Sequence, residues 1–345
     1  MYIFICSAFV ISVLLIPIII FLCKKHGWYD SLSERKIHTE KIPRLGGAGF
    51  VTAFVVSSVL YFYFECNLSI LSLIPFIVSS LLIFIFGVID DFKDLSAKFK
   101  LLVQIIAALI MILNGYHFTN LGSFQFGPFG YIITFVWFIG VINAFNLIDG
   151  VDALCGGLSS FILITLGVIY MRAGRSETAA LCFILTAAVC GFLVYNKPKA
   201  KIFMGDGGSQ FLGFMVAALP LFQAPPAVEH NKMLIAGLLV SIPVLDTIAA
   251  VWRRKREHVP FFTPDRRHLH HKLMNMGYTP VSILVLLYAI QIGICCIVLI
   301  ALWCKGLRET FILIGGYCIM FVFFAIIHYT HRAVTRKKNE HEDTP

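Results

Sequence analysis

Three short stretches gather carboxylates in a way that invites chemistry. Asp90, Asp91 and Asp94 follow an apolar run that ends Phe86-Gly87-Val88-Ile89. If that helix continues, Asp90 and Asp94 share a face at i, i+4, with Asp91 beside them. Carboxylates this close repel, and each costs roughly 2.5–3.5 kcal/mol if held at the centre of a membrane. A divalent cation or a proton relieves both problems; three acids alone also fit a solvated helix end. In VINAFNLIDGVDALCGG, polar residues recur every third position at Asn143, Asn146, Asp149 and Asp152. On a regular helix this spacing drifts by about 60° per step, so only neighbouring pairs face together. With Gly150, Gly156 and Gly157 close by, the pattern points to a helix ending in a shaped pocket, with a polar helix-packing patch as the alternative. Asn and Asp there offer directed hydrogen bonds to an amide or a hydroxyl-rich ligand. In the third stretch, FMGDGGS from Phe203 to Ser209, glycines flank Asp206. They let backbone approach a ligand closely, and N–H groups at the next helix start favour phosphate. Asp206 can ligate Mg²⁺ alongside phosphate oxygens, although a plain turn also accounts for the string.

Two basic stretches accompany the acids. In RRKREHVPFFTPDRRHLHHKL, Arg253 to Arg256 read as a topology anchor at a membrane boundary. His268, His270 and His271 beside Arg266 and Arg267 are harder to dismiss. H-x-H-H could bind zinc, but only Asp265 stands near to complete a tetrahedral set. Arginine forks with imidazole donors suit a pyrophosphate better. In RKIHTEKIPRLGG, Arg35 to Gly47, Pro43 and Gly46-Gly47 fix a turn, and Lys41 and Arg44 stand among basic groups at head-group height. A lipid phosphate would suit them; on this loop alone a plain positively charged loop is the preferred reading.

The elements that position these groups are membrane helices. Hydrophobic residues make up 59% of the 345 and charged residues 14%, against about a quarter charged in soluble domains. Eleven apolar runs of spanning character lie near 2–23, 46–64, 70–89, 100–116, 129–145, 157–171, 178–196, 210–227, 232–252, 280–303 and 310–328. The sixth is the shortest, and the first lacks the charged start and cleavage site of a signal peptide. Of 28 Lys and Arg, 23 fall in one set of alternate loops and five in the other. The positive-inside rule then puts the N-terminus outside and the C-terminus in the cytoplasm. The fold predicted is all-α, a polytopic bundle of about eleven transmembrane helices. One domain covers residues 1–330, and a charged, frayed cytoplasmic tail covers 331–345. The net charge of +9 reads as topology signal and attraction to anionic lipid. No soluble basic stripe with interleaved aromatics supports a nucleic-acid partner. The ten Cys are scattered without a C-x-x-C and read as small apolar residues.

Together the groups describe one membrane face rich in Asp, His and Arg, with glycine turns. That inventory fits phosphoryl transfer and not hydrolysis by a nucleophilic Ser or Cys. The set RKIHTEKIPRLGG, GVIDDFKD, NAFNLIDGVDAL, YNKPKAKIFMGDGGS and TPDRRHLHH strongly resembles the polyprenyl-phosphate N-acetylhexosamine-1-phosphate transferases. Those motifs run in order from Arg35 to about Gly277, most of the chain. The resemblance implies a bundle of ten or eleven helices in a bacterial plasma membrane, its site facing the cytoplasm. It implies Mg²⁺, with Mn²⁺ as a substitute, held by Asp206 with Asp91. Asp90 and Asp91 match paired aspartates that meet the lipid phosphate, with Asp90 as a candidate base and Asp94 close behind them. Asn146, Asp149 and Asp152 match nucleotide-side residues, and Phe203 a uracil-stacking aromatic. Lys100 and Asn196 match further site positions, and His268, His270 and His271 a motif near the pyrophosphate or sugar. The implied partners are a UDP-sugar and a polyprenyl phosphate, with a homodimer left open.

The form P-D-R-R-H-L-H-H resembles enzymes that start O-antigen, enterobacterial common antigen or wall teichoic acid, which implies UDP-N-acetylglucosamine as donor. Ala153 stands where many members have Gly, a change expected to tighten helix packing and to leave sugar choice open. The alternatives weighed are a phospho-N-acetylmuramoyl-pentapeptide transferase, a secondary transporter and a CDP-alcohol phosphotransferase. A transporter would keep its acids near mid-membrane, and the D-G-x2-A-R signature of the last class is missing.

Overall fold

The computed structural model describes residues 1–29, 42–65, 70–260, 267–304 and 306–342. Lys41 and Arg266, both expected at the site, lie outside the described residues. The chain runs through α1 (Tyr2–His26), α2 (Gly46–Glu65), α3 (Ile70–Lys93) and α4 (Ala97–Leu113). A hairpin of β1 (Asn120–Leu121) and β2 (Phe124–Gln125) follows, then α5 (Phe129–Ile148), α6 (Leu154–Arg172), α7 (Ser176–Asn196) and α8 (Gly205–Ala218). After the short α9 (Pro226–Glu229) come α10 (Lys232–Leu239), α11 (Ser241–Arg256), α12 (Leu269–Asn275), α13 (Pro280–Ala301) and α14 (Leu307–Glu342).

The protein is a polytopic helical membrane protein. Among the described residues eight helices are long and apolar enough to cross a bilayer, and α10 with α11, bent by 78°, make a ninth if counted as one span. Each of the eleven apolar runs overlaps a helix or this pair, although the run 210–227 meets α8 only as far as Ala218. The remaining two, α4 and α8, have only 17 and 14 residues. At 1.5 Å per residue, α8 reaches roughly 21 Å, short of a hydrocarbon core of about 30 Å. The irregular backbone that follows α8 is buried, and such backbone is tolerated at membrane depth only when protein satisfies it. The Tyr170 hydroxyl does so, donating to the Leu219 carbonyl at 2.6 Å.

The chain divides into two compact units, Met1–Met233 and Leu234–Pro345. In the first, α8 packs on α3, α5 and α2, and α1 on α7 and α2. Burial separates core helices from lipid-facing ones: 78% of the spanning window of α6 is buried, against 17% for α1. Aromatic rings fill the space around α8, with Phe50, Phe54 and Phe84 against Phe211. The helix ends follow local chemistry. Ser96 caps α4 by accepting from Phe99 N–H, and α1 stops at Gly27 in the left-handed region.

The break in the second unit also has a local cause. Proline has no N–H, so Pro243 cannot donate to the carbonyl four residues back, that of Leu239. The helix ends there, and α11 restarts with Pro243 in its first turn, where a missing donor is harmless. The stranded Leu239 carbonyl instead accepts from Gln291 Nε2 of α13 at 3.0 Å, and Gln291 is fully buried. The charged C-terminal tail differs from expectation: α14 continues through it to Glu342. Residues 331–342 contain no Gly or Pro, and Arg, Lys and Glu are good helix formers.

Candidate active site

In the first unit the glycine turns bring the ends of three helices together. Phe203 N–H donates to the Pro43 carbonyl at 2.8 Å, while Gly46 and Gly47 N–H donate to the Phe203 and Met204 carbonyls at 2.8 Å each. The RLGG turn is thus laced along the FMGD turn. Gly205 adopts φ +75°, and a Cβ there would collide with the Arg44 carbonyl oxygen and the Asp91 carboxylate. At the end of α3, a Cβ on Gly87 would stand 2.6 Å from the Gly207 Cα.

This closeness lets α3 serve the start of α8. Asp91 accepts from Asp206 N–H at 2.7 Å and from Gly207 N–H at 3.1 Å, so an acid from one helix caps another. Asp206 then projects between two cations: Arg44 Nη2 lies 3.1 Å from one oxygen and Lys100 Nζ 2.9 Å from the other. Arg44 Nε also lies 3.4 Å from Asp91, and Lys100 pairs with buried Asp90. Asp90 is further held by Leu95 N–H at 2.7 Å. Burial alone would raise the Asp206 carboxyl. Hydrogen bonding toward Asp90 and the Lys100 and Arg44 cations instead hold it well below the usual carboxylate range.

The structure brings Arg44 and Lys100 into this centre; for Arg44 that overturns the plain-loop reading. Asp94 does not extend the helical face of Asp90: α3 stops at Lys93, and Asp94, whose N–H still donates to the Asp90 carbonyl at 3.0 Å, is exposed at φ +46°. Asn146 donates to Ser209 at 3.1 Å, and Asp149 is close enough to Asp206 and Asp91 to interact electrostatically. Asp149 has no hydrogen-bond partner among the described residues and is half-buried. Asp152 and Asn196 also hold backbone. Asp152 accepts from Ala200 N–H at 3.0 Å, and Asn196 joins Ala153 N–H to the Ile202 carbonyl. Ala153 sits at φ +63°, so the Gly-to-Ala departure bears on backbone strain rather than on packing. A chain of Asn143, Gln104 and Gln210 side chains, linked at 2.6 and 3.1 Å, runs below the centre.

The donor set fits Mg²⁺. The ion usually takes one or two carboxylates and completes its shell with substrate phosphates, and Asp206 offers oxygens faced by two partly exposed, movable side chains. Both Asp91 oxygens are engaged by α8, each keeping a second lone pair. Among the described residues no three acidic, His or Cys side chains converge as a closed cation cage, so the centre is an open one.

The histidine motif belongs to the second unit. His268 Nδ1 lies 2.9 Å from Asp246 Oδ2, and Asp246 Oδ1 accepts from Leu269 N–H at 2.9 Å, all buried. A carboxylate only accepts, so His268 carries its Nδ1 proton and turns Nε2 away from the pair. His270 and His271 rings lie 4.2 Å apart. Burial and His271 push the His270 imidazole down to about 3, which leaves it neutral. Arg267 donates bidentately to Glu257 at 2.8 and 2.6 Å. Sequence reading missed Asp246, although an acid inside an apolar run is itself a signal.

Glycosyl transferase family 4 matches residues 73–223, the stretch that holds all three acidic groups. A Bacillus subtilis protein named as a probable undecaprenyl-phosphate N-acetylglucosaminyl 1-phosphate transferase is 34% identical over 296 residues, covering 82% of this chain and 81% of that one. The chain belongs to glycosyl transferase family 4. The undecaprenyl-phosphate alpha-N-acetylglucosaminyl 1-phosphate transferase of Yersinia pestis is 31% identical over 92% of each chain, and that of Escherichia coli K12 32% identical over 74% of this chain and 71% of its own. At 74–92% of this chain, the matches to these relatives extend beyond residues 73–223.

Proposed function

We propose that the protein transfers N-acetylglucosamine 1-phosphate from UDP-N-acetylglucosamine to undecaprenyl phosphate, releasing UMP. The observation that carries this reading is the interlocked centre of Asp90, Asp91, Asp206, Lys100 and Arg44. A lipid phosphate oxygen attacks the β-phosphorus, and the bond from that phosphorus to the bridging oxygen of UMP breaks. A phosphate monoester has its second pKa near 6, so the nucleophile is largely ionised at pH 7 and Asp90 has little basic work to do. Arg44 and Lys100 supply cations for the phosphates. Asp206, with Asp91 behind it, would hold Mg²⁺, which when bound neutralises charge on the diphosphate. Asn146 and Asp149 face the nucleotide, Phe203 stacks on uracil, and the histidine motif recognises the donor. The reading includes eleven spans in a bacterial plasma membrane, N-terminus outside, with the site on the cytoplasmic side; the charge asymmetry of the loops supports it.

A panel of radiolabelled UDP-sugars, given to sealed vesicles of each orientation with undecaprenyl phosphate, tests donor and sidedness together. UDP-N-acetylglucosamine should be used, and only where the cytoplasmic face is exposed. Comparable transfer from UDP-N-acetylmuramoyl-pentapeptide, or use of the donor from the outer face, would overturn the assignment. Asp246→Asn tests the histidine arm. Asn can still accept from Leu269 N–H but presents an amide donor to His268 Nδ1 and so disfavours the present tautomer. A hydrogen bond to a charged group is worth about 1.5–3 kcal/mol, or roughly ten- to a hundredfold. Because the pair is buried, a lower unfolding midpoint is expected together with a loss in kcat/KM for the donor; wild-type kinetics would remove Asp246 from the site.

A further inference from the structure

The second unit carries a concentration of positive charge that the transfer reaction does not use. The last turn of α11, α12 and the end of α14 enclose an open cleft of about 780 Å³, lined by Arg253, Arg256, Lys272, Tyr329, Arg332 and Arg336 among others. Arg267 also reaches it, with its fork closed on Glu257. Arg256 and Arg332 have no carboxylate partner among the described residues, and both are exposed. So many like charges around one cleft repel one another, and an anion placed among them would relieve that repulsion.

Its depth narrows the choice of anion. Leu307–Arg336 of α14 is long and apolar enough to cross a membrane, and Arg332 and Arg336 are the charges at its end. Trp252 precedes Arg253 and is 65% exposed, and Tyr329 precedes Arg332 by three residues and is 68% exposed. Large amphipathic rings of this kind settle at lipid head-group level. We propose that this cleft binds the phosphate of an anionic phospholipid from the surrounding bilayer. Arginine forks match phosphodiester oxygens, and the volume suits a head group.

The test uses the full-length protein in nanodiscs of phosphatidylcholine with a minority of phosphatidylglycerol, and native mass spectrometry to read which lipids stay bound. The wild type should retain phosphatidylglycerol in preference to phosphatidylcholine. Arg256→Gln with Arg332→Gln should lower that preference roughly tenfold or more, the scale expected for two basic groups at an anionic surface. Transfer activity in pure phosphatidylcholine discs should not change, and both side chains are exposed, so folding is not at stake. Equal retention by wild type and variant would overturn the proposal. So would loss of the wild-type preference on adding inorganic phosphate or UMP, which would make the cleft a site for soluble anions.

Discussion

Asp206→Asn should cut sugar-phosphate transfer by about 10²–10³-fold, the scale seen when one preorganised electrostatic group is removed from a reaction centre. The carboxylate now holds Arg44 on one oxygen and Lys100 on the other. An amide offers one acceptor and one donor, so it cannot face both cations, and one of them swings away from where the phosphates must lie. The same change would remove the carboxylate proposed to hold Mg²⁺. EDTA should therefore reproduce the loss in the wild type, and added Mg²⁺ should restore it. The measurement is UMP release with undecaprenyl phosphate present, alongside a check that the variant still inserts in the membrane. Activity within tenfold of the wild type, or full activity in EDTA, would remove Asp206 from its central role.

Gly205→Ala should be nearly as damaging through a different route. The position holds φ +75°, which costs a residue with a Cβ roughly 1–2 kcal/mol. The added methyl also meets the Arg44 carbonyl and the Asp91 carboxylate, and the carbonyl is backbone that cannot rotate away. Overpacking of this kind adds about 1–3 kcal/mol. Relief requires the RLGG turn to lift off α8, which breaks the arrangement of Arg44, Asp91 and Asp206 together. Both a lower unfolding midpoint in detergent and a loss of transfer are expected. An alanine variant with wild-type midpoint and activity would show that the turn can part from α8 without consequence.

The helices were legible because lipid leaves a plain record: each apolar run overlaps a helix or the bent pair. The shortness of α8 was not, since the buried turn after it is as apolar as a helix would be. The acids at 90, 91 and 206 were legible as a type of chemistry. That Asp91 would spend both oxygens on the start of α8 depends on a helix crossing 115 residues away in sequence, which no local pattern encodes. Arg44 looked like one more basic loop residue because its partners come from two other elements. Asp152 and Asn196 match site positions, and each also holds backbone, at Ala200 and at Ala153, a link between distant turns that residue type alone does not announce. Asp246 was passed over as a lone acid in a hydrophobic run, and its partner His268 lies 22 residues on.

The Pro243 break has a consequence for how the chain is made. The carbonyl that Pro243 strands at Leu239 finds its donor 52 residues later, on Gln291. While a ribosome has delivered α10 and α11 but not α13, that carbonyl has no protein partner of this kind, and in hydrocarbon an unsatisfied backbone group costs several kcal/mol. The nascent chain must therefore keep the bend beside water or the insertion machinery until α13 arrives. Any equally greasy helix could fill the volume of α13, but only one with a side-chain donor at this position releases the bend into lipid.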